Sequence, residues 1–241
     1  MADQRTQVTE MRPTHVRHAI IALIFIITSV NYADRATFSI AGSAAAHELG
    51  LNPVQTGFIL SAFAWAYVLA QVPGGLLLDK FGTKRVYAAA IALWSVFTAL
   101  QGLAGMIAFL PAVAMLFALR FLVGLAEAPS FPGNARLVAL WFPSAERGTA
   151  SAVFNSAQYF SLVAFAPLMG WLAHNYGWRS IFWVMGVLGL VATAVFLRYI
   201  HSPARHPSIN RAELDHIEQG GGLIHMEDGG AGSAAAFDWG N

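Results

Sequence analysis

Four long stretches of this chain contain no Asp, Glu, Lys or Arg: residues 49–78, 86–119, 148–178 and 180–197. Such runs are hard to place in a water-facing fold, because a soluble domain of this size carries about 25% charged residues. Here only 11% are charged and 56% are hydrophobic. A soluble enzyme and a disordered chain are therefore both poor readings. The runs fit a bilayer instead. A helix needs about 20 apolar residues to cross a hydrocarbon core about 30 Å thick. The run 86–119 would make a helix of about 51 Å at 1.5 Å per residue, so it must turn, and Gly102, Gly105 and Pro111 mark the place. The spacing predicts an all-α membrane domain with helices near 18–40, 54–78, 85–104, 111–133, 148–172 and 179–199.

The first of these could be mistaken for a cleaved leader, since Arg12 and Arg17 precede an apolar stretch from Ala19 to Val30. A cleavage site should follow that stretch closely, but Asn31, Asp34 and Arg35 intervene before Ala44-Ala45-Ala46. It reads as an uncleaved span. Of the 14 Lys and Arg residues, eleven fall on one side of the expected layout, with Arg179 alone on the other and two inside spans. The eleven include Arg5, Lys80, Lys84, Arg85, Arg136 and Arg147. The positive-inside rule then puts both termini in the cytoplasm of a cell whose inner or plasma membrane the chain crosses. The expected organisation is a cytoplasmic tail (1–17), a six-helix domain (18–200) and a cytoplasmic linker segment (201–241).

Two segments 95 residues apart share a pattern. Gly75, Phe81, Gly82 and Lys84 correspond to Gly170, Tyr176, Gly177 and Arg179. One copy joins helices 2 and 3 and the other joins helices 5 and 6, on opposite sides. That is the arrangement of two inverted three-helix repeats.

Asp34, Arg35, Arg120 and Glu127 lie inside the expected spans, and their charges sum to zero. An ionised group at mid-membrane costs roughly 2.5–3.5 kcal/mol on insertion scales, so such residues face the interior and pair. Arg120 and Glu127 are seven apart and share a helix face. With both carboxylates ionised the arginines are neutralised. Protonating Asp34 or Glu127 frees a guanidinium, whose fork suits a substrate carboxylate. Proton and anion uptake would then favour each other, which is symport by charge balance. A static ion-pair network is the alternative. Tyr67 with Gln71, and Asn155 with Gln158, share helix faces and suit a hydroxylated ligand or plain interhelical hydrogen bonding. No His accompanies a carboxylate within a span, and Cys is absent. No enzyme, cofactor or metal site is expected, and a net charge of +1 gives no footprint for nucleic acid.

The stretch GGLLLDKFGTKR (Gly74 to Arg85) resembles the signature loop between helices 2 and 3 of the major facilitator superfamily. Gly75, Asp79, Gly82, Lys84 and Arg85 fall on that pattern, and the resemblance implies a role in the alternating-access movement. NYADRATFSIAG (Asn31 to Gly42), RFLVGLAEAPSFPGNARLVALWFP (Arg120 to Pro143), ERGTASAVFNSAQYF (Glu146 to Phe160) and HPSINRAELDHIEQGG (His206 to Gly221) resemble the anion:cation symporter family. Its glucarate/galactarate permeases are nearest, with galactonate and hexuronate carriers next. The likeness implies proton coupling at Asp34 and Glu127, a substrate carboxylate at Arg35, a sugar-acid site lined by Tyr67, Gln71 and Gln158, and Arg120 linked to the coupling acid.

That family has twelve helices in two halves, whereas this sequence ends at Asn241. After Pro203 the composition turns polar. Asn210 with Glu213 predicts a capping box for a short helix stopped by Gly220-Gly221-Gly222, and Gly229 to Ala236 reads as a linker. The expectation is the N-terminal half of a secondary transporter of sugar-acid anions, driven by protons or sodium, whose partners are the bilayer and a second six-helix half. The competing reading is a non-transporting membrane subunit or an inactive truncated fragment.

Overall fold

Apolar surface decides where each helix forms, and local chemistry decides where it ends. The computed structural model describes residues 13–107 and 109–226. Helix α1 (Val16–Leu49) stops at Gly50, which adopts φ +66° and returns its N–H to Ala46. Helix α2 (Pro53–Phe81) starts on a full capping box between Asn52 and Gln55. It ends at Gly82 (φ +83°), from which α3 (Thr83–Gln101) departs directly. A run of turns leads to α4 (Ala112–Glu127), which is followed by α5 (Ser130–Trp141). Helix α6 (Arg147–Tyr176) ends at Gly177 (φ +79°), and α7 (Arg179–Tyr199) follows. A single 3-10 turn at Pro203–Arg205 precedes α8 (Arg211–Gln219).

Several expected boundaries need correction. The first helix runs to Leu49 rather than residue 40, because the Ala-rich segment after Gly42 continues to pack, with Ala41 and Ala45 fully buried. The third stops at Gln101. The fourth does not end at residue 133. It breaks at Ala128-Pro129 and continues as α5 to Trp141, because Pro129 has no N–H for the preceding turn. Arg136, expected in a loop, is therefore helical, donating from Nε to Thr83 at 3.1 Å and pairing with Asp79. The fifth expected helix extends to Tyr176.

With α4 and α5 as one broken rod, the described residues up to Tyr199 form six rods. Their pairing explains the repeat. Helix α3 packs on α7, α1 packs on α6, and α2 packs on α4. Exchanging the first three rods for the last three maps α1–α6 onto α4–α2 and leaves α3–α7 unchanged. The glycines at 82 and 177 share one left-handed conformation at the expected spacing of 95. Close packing at the crossings depends on missing side chains. A Cβ on Gly124 would stand 2.4 Å from the Phe63 carbonyl oxygen of α2, and one on Gly186 would stand 2.6 Å from Ala99 of α3.

Five of the rods are long and apolar enough to cross a membrane: α1, α2, α4 with α5, α6 and α7. Helix α3 is shorter and opens on Lys84 and Arg85. Two apolar clusters divide the interior. One contains Ile24, Trp94, Trp141 and Phe196, and the other contains Phe38, Leu116, Trp178 and Phe182. Helices α2 and α6 are the least covered of the spanning rods, with Trp65, Val68, Val72, Tyr159 and Val163 exposed.

The segment after Tyr199 closes the basic end. Asn210 caps α8 by accepting from the Glu213 N–H at 2.9 Å, as expected, but the Glu213 carboxylate does not complete the box. It is fully buried and accepts instead from Thr14 Oγ1 and from the backbone N–H groups of Val16 and Arg17. It thereby caps the start of α1, which has no capping side chain of its own. Ser144 donates to the Gly220 carbonyl at 2.8 Å, and Leu223 donates to the Ala139 carbonyl at 3.0 Å. Arg5 and Arg12 of the tail, and the linker expected over Gly229 to Ala236, lie outside the described residues.

Glu146 joins this end piece to the bundle, pairing with Arg17 at 3.1 Å and His216 at 3.3 Å. Partial burial pushes its carboxyl up, but the hydrogen bond to His216 and the Arg17 charge outweigh that and hold it below its ordinary value. A depressed carboxyl contributes stability above its unfolded pKa and loses it as pH falls through the folded value. The thermal midpoint of the protein should therefore fall less for Glu146→Gln than for wild type when pH drops from about 7 to about 3. Equal falls would show that Glu146 contributes nothing to acid sensitivity.

Candidate functional site

The four intramembrane charges meet where the two apolar clusters adjoin. Asp34 and Arg35 come from the middle of α1, and Arg120 and Glu127 come from the buried face of α4. Arg35 Nε donates to Glu127 Oε2 at 2.7 Å, and the Glu127 side chain is fully buried. Thr98 of α3 donates to Asp34 Oδ2 at 2.8 Å. Asp34 and Glu127 also both face Arg120. Of the pairing expected among these four charges, the structure shows one ion pair, Arg35 with Glu127; Arg120 makes no ion pair or hydrogen bond with either carboxylate.

The arginines are held by ring faces as well as by charge. The Arg35 guanidinium lies 4.6 Å from the Tyr67 ring centroid, 4.9 Å from Tyr32 and 5.2 Å from Phe63. Arg120 lies 5.2 Å from Phe63 and 5.7 Å from Phe38. Such contacts stabilise a partly desolvated cation by about 0.5–2 kcal/mol. They leave the guanidinium N–H edges free for acceptors. Buried Arg120 has no hydrogen-bond partner at Nε or Nη1, and Glu127 has none at Oε1. The cluster is charge-balanced but not saturated, so it can accept a proton or an anion without first breaking every bond.

A shallow notch with an enclosed volume of only about 10 Å³ opens beside the cluster. Its wall includes Tyr32, Arg35 and Tyr67, with Ser130, Asn134 and Asn155 opposite. Ligand pockets usually enclose about 300–1,000 Å³, so this notch does not by itself enclose a ligand. A buried chain of hydrogen bonds stiffens it. Tyr87 Oη donates to Asn134 Oδ1 at 2.8 Å, and Asn134 Nδ2 donates to Thr28 Oγ1 at 2.9 Å. That chain ties α3 and α5 to α1.

The residues expected to line the site divide into two groups. Tyr67 stands over Arg35 on the notch wall, and Asn155 lines it too. Gln158 is half-buried and Gln71 is exposed, and neither lines the notch. The signature-loop residues sit at the basic end, away from the charge cluster. Gly75 has open space around its Cα, Asp79 pairs with Arg136, and Lys84 and Arg85 begin α3. Sequence reasoning missed Thr98, Tyr32, Thr28, Asn134 and Ser130. Thr98 and Tyr32 are ordinary residues of apolar helices until the neighbouring rod is placed. Asn134 was hidden by ending the fourth span at residue 133, and Ser130 by reading through the break at Ala128-Pro129.

Among the described residues no group of His, Asp and Glu is arranged to hold a metal ion. The chemistry on offer is binding and proton exchange. Two carboxylates can take up protons, and two guanidinium groups can take up a carboxylate.

Residues 24–233 match the family model described as Major Facilitator Superfamily. The Probable galactarate/D-glucarate transporter GudP of Bacillus subtilis is 55% identical over 228 residues, which is 95% of this chain and 50% of the relative. The Probable galactarate/D-glucarate transporter GarP of Escherichia coli K12 is 54% identical over 222 residues, covering 92% of this chain and 50% of the relative. The chain thus spans about half the length of the curated relatives it matches. Among solved structures, the proton:xylose symporter XylE bound to 6-bromo-6-deoxy-D-glucose superposes with a TM-score of 0.67 at 15% identity. That match covers 87% of this chain and 50% of XylE, and it is a likeness of fold.

Proposed function

Because this chain belongs to the Major Facilitator Superfamily, a family of multi-pass membrane transporters and not of enzymes, we propose that it forms half of a proton-coupled symporter for sugar-acid anions. The substrates are of the galactarate and glucarate kind that the names of its relatives carry. The observation that carries the reading is the Arg35–Glu127 pair at 2.7 Å, buried between α1 and α4 at the edge of an open notch.

The mechanism follows from charge balance. With Glu127 ionised, Arg35 is occupied and the site is neutral. A proton on Glu127 neutralises the carboxylate and releases the guanidinium. A substrate carboxylate then takes the vacant fork, stacked in place by Tyr32, Phe63 and Tyr67. Asp34 and Arg120, both buried beside this pair, offer a second carboxylate and a second guanidinium, with Thr98 orienting Asp34. Because a naked charge inside the membrane is costly, the site moves empty, or loaded with one proton for each substrate carboxylate, taken on Glu127 and, for a dicarboxylate, on Asp34 as well. The proton is taken as the coupling ion because both carboxylates already accept from donors, Arg35 on Glu127 and Thr98 on Asp34, and each can be neutralised in place.

In this reading α3 also crosses the membrane, both termini are cytoplasmic, and the exposed apolar faces of α2 and α6 meet a second six-helix half. That half comes from the same polypeptide or from another. Gly75, Asp79, Gly82, Lys84 and Arg85 act at the basic end as the loop that changes contacts during alternating access. The segment from residue 201 onward, with α8, serves as the cytoplasmic connection, braced by Glu213 and Glu146.

Uptake of labelled galactarate into proteoliposomes tests the proposal. The protein is reconstituted alone, and also together with the second half of the Bacillus subtilis relative. An inward proton gradient should drive accumulation above the equilibrium level in at least one preparation. Uptake that ignores the gradient in both would sink proton coupling, and no uptake or binding of any sugar acid would sink the substrate class.

A further inference from the structure

Two polar groups on the notch wall have no partner. Ser130 is 3% exposed and its Oγ makes no hydrogen bond, and Asn31 is 3% exposed with the same true of its Nδ2. Buried polar groups are nearly always satisfied, because an unmade hydrogen bond costs about 1–3 kcal/mol. Each such group therefore asks for an explanation. The two share a place: both line the notch with Arg35 and Tyr67.

Their positions are fixed from behind. Ser130 is the first residue of α5, directly after the break at Ala128-Pro129, and it lines the notch there. Pro129 is wedged against α2, where a Cβ on Gly74 would stand 3.2 Å from its ring. The break is thus locked by packing. Asn134, one turn further along α5, is held by Tyr87 and Thr28 on the same wall. Asn31 lies one turn before Arg35 on α1, beside Glu127. A ligand carboxylate on Arg35 would place its adjoining carbons between α1 and the start of α5.

Resting on the sugar-acid reading above, we propose that Ser130 and Asn31 are specificity-determining residues that hydrogen-bond the hydroxyl groups next to the bound carboxylate. The Ser130 hydroxyl can donate or accept, and the Asn31 amide nitrogen donates. Together they complement a hydroxylated carbon chain and penalise one that carries only methylenes. A site with polar groups waiting rejects the analogue that leaves them unpaired more strongly than an apolar pocket rejects an added hydroxyl.

The test compares galactarate with adipate, the six-carbon dicarboxylate without hydroxyls. Equilibrium binding of both is measured in lipid nanodiscs on the purified chain, alone and together with the second half of the Bacillus subtilis relative. Wild type should prefer galactarate. Ser130→Ala should lower the ratio of galactarate to adipate affinity by roughly five- to tenfold, the worth of one hydrogen bond. Ser130→Thr, which keeps the hydroxyl, should restore most of it, and Asn31→Ala should lower the ratio as Ser130→Ala does. An unchanged ratio in the alanine variants overturns the proposal. So does a loss of both ligands together in the alanine and threonine variants, since a hydroxyl needed only for folding would do that. If wild type binds neither ligand, the sugar-acid reading itself fails and the subsite goes with it. If wild type binds both equally, that reading survives and only the subsite is overturned.

Discussion

Replacing Arg35 with Gln should abolish measurable sugar-acid binding, a loss of a hundredfold or more. Two effects combine. The guanidinium is the fork that receives the substrate carboxylate, and it is also the charge that neutralises Glu127 at 2.7 Å. Breaking a buried pair by removing one partner typically costs about 3–5 kcal/mol, because the remaining charge is left uncompensated. Lys is not an adequate substitute. It keeps the charge but loses the planar fork that can hold a carboxylate while stacking on Tyr67 and Tyr32. Arg35→Lys should therefore bind at least tenfold more weakly than wild type by the same assay, isothermal titration with galactarate. Wild-type affinity in either variant would mean that the carboxylate sits elsewhere, with buried Arg120 the next place to look.

Glu127→Gln should act in the opposite sense on binding and remove coupling altogether. Gln is shaped like a protonated Glu and cannot ionise. Arg35 is then never fully occupied, and galactarate affinity should lose the pH dependence that Glu127 gives wild type. Accumulation driven by a proton gradient should disappear, while exchange of labelled for unlabelled substrate at equal pH continues. Retained accumulation in Glu127→Gln would move the coupling role to Asp34, which Thr98 holds at 2.8 Å. An Asp34→Asn variant measured beside it separates the two carboxylates.

Much of this site can be read from residue types alone, for a physical reason. An ionised side chain in a bilayer is expensive enough to be informative wherever it occurs. Four of them in six spans, summing to zero, predict a meeting point, and Arg35 with Glu127 forms it. The glycines at 82 and 177 are legible for a similar reason, since a left-handed turn between tightly packed helices favours glycine. Neutral residues carry no such penalty. Thr98 gives no sign that it orients Asp34 until α3 is laid against α1. Gln71 and Gln158 share helix faces with better-placed neighbours, yet the notch excludes both. Helical period fixes a face but not what lies across from it.

The break at Pro129 was missed for a different reason. Pro129, Pro132, Gly133 and Asn134 look like the exit of a span, and Arg136 looks like its cytoplasmic flank. The chain instead stays helical to Trp141, because Asn134 is satisfied by Tyr87 and Thr28 and Arg136 reaches Asp79 and Thr83. Tertiary partners overrode a local stop signal. Glu213 shows the same effect on a smaller scale. Its sequence context predicts a local capping role, whereas its carboxylate caps α1 nearly two hundred residues away.

The central claim is that a proton on Glu127 and a substrate carboxylate on Arg35 together replace the Arg35–Glu127 ion pair. Adding galactarate to lightly buffered proteoliposomes and following external pH tests it most directly. Symport predicts that the outside medium becomes alkaline as substrate enters, and that Glu127→Gln gives no pH change. Entry of labelled galactarate with no pH change in wild type would contradict the account.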